Sequence, residues 1–159
     1  DGGPLTVTDP EMTRFIMPID QAVDLVLNAQ REMRGGEVFV LKMPTFRLAD
    51  LVDVMRRVYA PTFGYEPEDV DVDIVGRRPG ERMHEKLISR DELAYTEERE
   101  AMFVLLPQID VEQLDREVSV DDEIETEYTS SDPEPYTQEE LASLIEESDI
   151  LTRWLHIHE

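Results

Sequence analysis

Two short stretches of this 159-residue chain gather side chains able to hold an anion. The first is GRRPGERMHE, Gly76 to Glu85, where Arg77 and Arg78 precede a Pro-Gly pair and Glu81 and Arg82 follow it. Pro79-Gly80 suits a tight turn that fixes the directions of the flanking side chains. An arginine held there offers a planar fork of donors to a phosphate, often in bidentate fashion. Glu81, when ionised, is a pure acceptor and could take hydrogen bonds from vicinal hydroxyls. Arg78 for phosphate and Glu81 for a ribose diol would together describe a nucleotide site. The same stretch permits a plainer arrangement, in which Arg78, Glu81, Arg82, Glu85 and Lys86 neutralise one another on an ion-paired surface. The chemistry alone does not separate the two.

The second stretch is TVTDPEMTRF, where Arg14 falls among Thr8, Asp9, Glu11 and Thr13. Thr8 and Arg14 could supply a hydroxyl and a cation to one ligand. Alternatively, Arg14 pairs with Asp9 or Glu11 while Phe15 joins the core. Other chemistry is sparse. There is no cysteine, which excludes disulfides and thiolate metal sites, and His84, His156 and His158 are the only histidines. The His156/His158 pair has no third ligand nearby, so no metal site is expected. No G-x-G-x-x-G, Walker-type or G-x-S-x-G motif occurs, and no nucleophile and base can be paired, so no catalytic residue is assigned.

The elements that must carry these residues read as an α/β succession. PLTVTD alternates apolar and polar residues and predicts a short strand ending near Thr8. Ala22, Val23, Val26, Ala29 and Met33 recur at helical spacing over Ile19 to Arg34, and Gly35-Gly36 supplies the stop. Glu37 to Leu41, EVFVL, reads as a buried strand. Leu48, Leu51, Val52, Met55 and Val58 predict a second amphipathic helix, with Thr45 as its cap. The loop APTFGYEPED leads to a third strand, VDVDIVG, directly before the arginine-rich turn. A ligand of an α/β sheet binds beyond the carboxyl ends of its strands, so a loop leaving this strand is well placed. MHEKLI then predicts a helical turn or two, and Ser89 with Glu92 a capping box for a short helix. AMFVLLP reads as the last clear strand. Thr137 with Glu140 is a second capping box, opening a helix that carries Leu141, Leu144 and Ile145.

Charge divides the chain. Residues 1–100 carry 21 acids and 13 bases, residues 101–159 carry 17 acids and 2 bases, and the formal net charge is -23. Nucleic acid is a poor partner for such a chain, because phosphate contacts need clustered cations. An acidic, lysine-poor surface suits a high-salt cytoplasm, where repulsion between like charges is screened. The division expected is a lobe over 1–109, an acidic extended arm or linker over 110–136, and a helical tail over 137–159. No apolar run approaches the roughly 18 residues that a membrane span needs. No signal peptide is visible, and a start at Asp1 rather than Met leads to the expectation of a trimmed or partial, cytoplasmic polypeptide.

Four stretches fall in an order that resembles a known family: PLTVTDPEMTRFIMPIDQAVDLVLNA, GGEVFVLKMPTFRLADLVDVM, IVGRRPGERMHEKLIS and YTSSDPEPYTQEELASLI. The chain is similar to the C-terminal half of the polysaccharide-biosynthesis dehydratases, typified by UDP-N-acetylglucosamine 4,6-dehydratase. These are a branch of the extended short-chain dehydrogenase/reductase superfamily. The resemblance implies an α/β fold: the C-terminal substrate-binding portion of such a protein, lacking the N-terminal Rossmann lobe. It implies that this missing lobe holds NADP and the catalytic residues and is a partner of this chain, with a homo-oligomer in the full-length protein.

It further implies that the chain grips the UDP-sugar substrate, with Arg78 and Glu81 of RPGE and Thr8 contacting the UDP moiety. Arg14 of MTRF is expected to serve the diphosphate or to organise the loop. A complete enzyme of this kind would oxidise the sugar at C4, lose water across C5 and C6, and return the hydride at C6. This chain carries neither the glycine-rich cofactor loop nor the tyrosine-lysine pair of the family, so catalysis by these residues alone is not expected. A nucleotide-sugar epimerase of the same superfamily is the close alternative, and a non-enzymatic acidic interaction module the distant one.

Overall fold

The computed structural model describes residues 3–108 and 124–147, and shows a mixed α/β arrangement as expected. Strands β1 (Leu5–Val7) and β5 (Val72–Ile74) pair in parallel, with Val7 opposite Ile74. Parallel pairing puts the carboxyl ends of both strands on the same side. The loops that follow them, beginning at Thr8 and Val75, therefore leave together, and the Val75 N–H donates to the Val7 carbonyl at 2.8 Å. This one pairing brings the two motifs to a common place.

Strand β2 (Thr13–Phe15) runs antiparallel to β4 (Thr45–Arg47), and helix α1 (Ile19–Glu32) lies between them in sequence. Helix α1 ends where expected, before Gly35 and Gly36, both at positive φ. A Cβ on Gly36 would sit 3.2 Å from Pro107 Cβ, so the turn has little room for a larger residue. Strand β3 (Val38–Leu41) pairs antiparallel with β8 (Met102–Leu105), which also pairs with β7 (Thr96–Glu98).

The apolar run MFVLL is explained by this central position. Met102, Val104 and Leu106 face one cluster with Leu25 and Phe39, while Phe103 joins Ile88, Ile124 and Tyr128 in another. A strand buried on both faces reads as continuous rather than alternating.

Helix α2 (Leu48–Val54) continues through a π-helical turn over Met55–Tyr59 into α3 (Ala60–Thr62). Pro61 has no N–H to give to the Arg57 carbonyl, and the turn before it widens so that Ala60 N–H reaches back to Met55. Helix α4 (Gln138–Glu147) lays Leu141 and Ile145 on Phe46 and Val54, closing a third cluster.

Four expectations are corrected. Thr45 does not cap α2: it lies fully buried in β4, its hydroxyl donates to the Pro133 carbonyl at 3.4 Å, and the capping position is Arg47 with no side-chain cap. MHEKLI is not helical, because Lys86–Ile88 form strand β6, paired antiparallel with β9 (Tyr128–Thr129) across a bulge. Consequently β8 is not the last strand. Residues 124–136, read as extended arm, pack instead: Ile124 and Tyr128 are buried in the core, and Ser130 is fully buried. The rest of the acidic segment, 110–123, and the tail beyond Glu147 lie outside the described residues.

Candidate functional site

Arg78 to Glu81 form a β-turn closed by a 3.0 Å hydrogen bond from the Glu81 N–H to the Arg78 carbonyl. Pro79 fits the first corner, and Gly80 takes φ +83° at the second, a conformation that glycine adopts without strain. The turn is closed a second time by its own side chain: Glu81 Oε2 accepts the Arg78 N–H at 3.0 Å. Glu81 Oε1 in turn accepts from the Thr8 hydroxyl at 3.2 Å. These contacts hold the Glu81 carboxyl below the ordinary carboxylate range. The Arg78 N–H is the leading cause, followed among the lowering influences by the Thr8 hydroxyl and the charges of Arg14 and Arg78. At neutral pH, Glu81 is thus an ionised acceptor aimed by two donors.

The cations of the region divide into spent and unspent. Arg14, from β2, gives one nitrogen to the carbonyls of Thr13 and Met83 at 2.7 and 3.1 Å. Its other groups stand 3.8 Å from Glu81 and 3.8 Å from Glu85. Lys86 pairs with Glu127 at 2.6 Å, and Arg77 approaches Asp9 at 3.9 Å. Arg78 is exposed, and among the described residues its guanidinium makes no hydrogen bond or ion pair, acting on Glu81 only at longer range. The turn residues therefore do not neutralise one another as an ion-paired surface would require.

An open groove of about 540 Å³ adjoins the turn, with Arg14, Arg82 and Glu85 beside the apolar Phe15, Met17 and Leu87. Phe15 is fixed from both sides: its N–H donates to Glu85 Oε2 at 2.9 Å, and its ring lies 5.0 Å from that of Tyr128. Tyr128 is anchored in turn on the Met43 backbone, where its hydroxyl accepts from the N–H at 2.7 Å and donates to the carbonyl at 3.1 Å.

The fold thus brings Thr8, Arg14, Arg78 and Glu81 to one locus from segments more than 60 positions apart. Three participants escaped sequence reasoning. Thr13 Oγ1 lies 2.8 Å from His84 Nδ1 and 2.7 Å from Ser130 Oγ, joining three segments by side-chain hydrogen bonds. Ser130 lies within the YTSSDPEPYTQEELASLI stretch that carries the resemblance, and nothing in its own neighbourhood marks it. Among the described residues no group of three potential ligands could hold a metal ion, and His156 and His158 lie outside them. No helix among the described residues is long and apolar enough to cross a membrane.

A family model described as a polysaccharide biosynthesis protein matches residues 1–107. A protein of Methanocaldococcus jannaschii described as an uncharacterized membrane protein is 52% identical over 106 residues, covering 67% of this chain and 32% of its own length. An inverting UDP-N-acetylglucosamine 4,6-dehydratase of Campylobacter jejuni is 33% identical over 116 residues, covering 73% of this chain and 31% of its own. A UDP-glucose 4-epimerase of Rickettsia felis is 39% identical over 90 residues, covering 57% and 24%. The crystal structure of Pen from Bacillus thuringiensis superposes with a TM-score of 0.79 at 31% identity, over 94% of this chain and 42% of that one. The chain thus spans a third or less of the length of these curated relatives.

Proposed function

The chain belongs to the polysaccharide biosynthesis protein family, and within it we propose that the chain is the UDP-sugar-binding portion of a nucleotide-sugar 4,6-dehydratase of the UDP-N-acetylglucosamine type. Arg78 presents its guanidinium fork to the diphosphate. Glu81 accepts from the ribose hydroxyls, and Thr8 holds that carboxylate in place and adds a hydroxyl. Arg14, with one guanidinium nitrogen already given to two carbonyls, organises the loop. One observation carries this reading: the exposed Arg78 guanidinium is unspent, while the carboxylate beside it is tied down from two directions. A surface built only for mutual neutralisation would pair that arginine.

The described residues do not fit a resident NADP. The glycines at positive φ, Gly35, Gly36, Gly64, Gly76 and Gly80, stand in turns that lead to strands or to a short 3-10 turn. None opens a helix whose N-terminus could receive a pyrophosphate. The reading therefore assigns NADP and the chemical steps to an upstream Rossmann lobe, and this chain supplies substrate affinity and orientation. A homo-oligomer, a cytoplasmic setting and a salt-rich one complete the proposal.

Calorimetry at high salt with UDP-N-acetylglucosamine, on a protein carrying this chain and the upstream lobe, tests the reading. Saturable binding is expected, and no binding refutes it. The similarity to a UDP-glucose 4-epimerase favours a second reading, in which the same binding loop serves epimerisation. Product analysis separates them: a keto-deoxy sugar marks the dehydratase, an inverted hydroxyl the epimerase.

A further inference from the structure

Ser130 is the point where three separated parts of the chain meet. Its side chain is fully buried, one of few buried polar side chains among the described residues. Ser130 Oγ accepts the Glu85 N–H at 2.8 Å, donates to the Thr13 carbonyl at 3.0 Å, and lies 2.7 Å from Thr13 Oγ1. Its own N–H donates to the Glu85 carbonyl at 2.8 Å. Thr13 Oγ1 continues the chain to His84 Nδ1 at 2.8 Å. A hydroxyl has one proton and two lone pairs. With the proton on His84 Nδ1, the imidazole donates to Thr13 Oγ1, Thr13 to Ser130 Oγ, and Ser130 to the Thr13 carbonyl. Every donor in the network is then used, and both lone pairs of Ser130 are filled.

The partners of Ser130 lie within the two motifs. Thr13 is adjacent to Arg14, which braces Glu81, and Glu85 lies four positions after Glu81 at the end of the same loop. The bond to Glu85 N–H and the bond to Thr13 therefore tie the exit of one loop to the exit of the other.

We propose that Ser130 is a positioning residue for the nucleotide site, holding segments 8–14 and 76–85 together so that Thr8, Arg14 and Glu81 stand assembled before ligand arrives. The inference rests on reading the turn at 78–81 as that site. Its physical basis is preorganisation: a loop already held in the bound arrangement pays less ordering entropy on binding. Alanine at 130 would leave the partly buried Glu85 N–H without its side-chain acceptor, and threonine would add a methyl group where the Ser130 side chain is already fully buried. Ser131, next in sequence, is exposed and bonds only within its own turn, to Thr129 Oγ1 at 2.7 Å, so it is the internal control.

The test measures UDP-N-acetylglucosamine affinity for Ser130→Ala, Thr13→Val, their double variant and Ser131→Ala in the protein that carries this chain. Ser130→Ala and Thr13→Val should each weaken binding about tenfold, and the double variant little further, since both cut one network. Ser131→Ala should remain within about twofold of the parent.

Amide hydrogen exchange without ligand gives a second readout. In Ser130→Ala the N–H groups of Arg78 and Glu81, which close the turn, should exchange faster, while that of Leu141 in α4 keeps its protection. Unchanged affinity in Ser130→Ala beside a large loss in Arg78→Ala would overturn the proposal, as would unchanged exchange at Arg78 and Glu81. Should Ser130→Ala fail to fold, Thr13→Val carries the same expectations. Should the parent bind no nucleotide, the functional reading falls, and the exchange measurement still decides the role of Ser130.

Discussion

Thr8 Oγ1 and Glu81 Oε1 stand 3.2 Å apart although 73 positions separate them in the chain. Parallel pairing of Leu5–Val7 with Val72–Ile74 creates the relationship, because it releases both following loops on the same side. The consequence is a carboxylate whose ionised form is stabilised by the Arg78 N–H, by the Thr8 hydroxyl and by nearby guanidinium charge.

Nucleotide affinity should therefore tolerate acid. The folded-state pKa of Glu81 is depressed, so its ionised form, and the stability that form contributes, are retained above the unfolded value and lost only as pH falls through the folded one. Binding of UDP-N-acetylglucosamine, whose diphosphate has no proton to gain near neutrality, should stay flat from pH 7 down through the ordinary glutamate range. It should weaken below that range. Glu81→Gln should weaken binding at neutral pH and remove the acid-side decline. A decline centred well above the ordinary glutamate range would contradict the assignment.

Arg14 and Arg78 should separate by what they damage. Arg14 is three-quarters or more shielded and donates to the Thr13 and Met83 carbonyls, so Arg14→Ala should lower both the melting temperature and the affinity. Lysine cannot reproduce the fork and should not restore them. Arg78→Ala should leave the melting temperature in place. Thermal unfolding of the two variants side by side checks this, and an equal fall in both would make Arg78 structural.

The two anchors of the C-terminal helix should be worth measurable stability. Leu141 is fully buried against Phe46 and Val54, and Leu141→Ala should cost about 2–5 kcal/mol. Thr137 accepts the Glu140 N–H at 3.2 Å while its own N–H donates to Glu140 Oε2 at 2.8 Å, and Thr137→Ala should cost about 1 kcal/mol. Denaturant midpoints at constant slope measure both.

Salt should stabilise this protein. With a formal net charge of -23, compaction works against self-repulsion that ions screen. Raising potassium chloride from about 0.1 to about 2 M should raise the melting temperature. A fall would mean that attractive ion pairs such as Lys42 with Glu98 and Lys86 with Glu127 outweigh the repulsion.

What the sequence disclosed, and what it hid, follows the range of the interactions. Both capping boxes, Ser89 with Glu92 and Thr137 with Glu140, join residues three positions apart and were legible, though the first opens a 3-10 turn, Arg90–Tyr95. Helix α1 and strands β3 and β8 announced themselves through periodicity and apolar runs. The strand Lys86–Ile88 is hidden from a local reading because its pairing partner lies about 40 positions away at Tyr128–Thr129, where no local pattern marks it. Thr45 is a good cap by type, yet its place in β4 opposite Phe15 decides its role. At the site, Arg78 and Glu81 were visible as chemistry. Ser130, in contrast, acquires meaning only from the residues folded against it.

The central claim, that the RPGE turn holds a nucleotide diphosphate, is tested most directly by titrating UDP-N-acetylglucosamine into Arg78→Ala and Arg56→Ala in the protein carrying this chain. Arg56 lies outside both motifs and donates to the Pro67 carbonyl at 2.9 Å. Arg78→Ala should lose about tenfold to a hundredfold in affinity, as expected for a charge-assisted contact, while Arg56→Ala binds as the parent does. Equal affinities in the two variants would contradict the account.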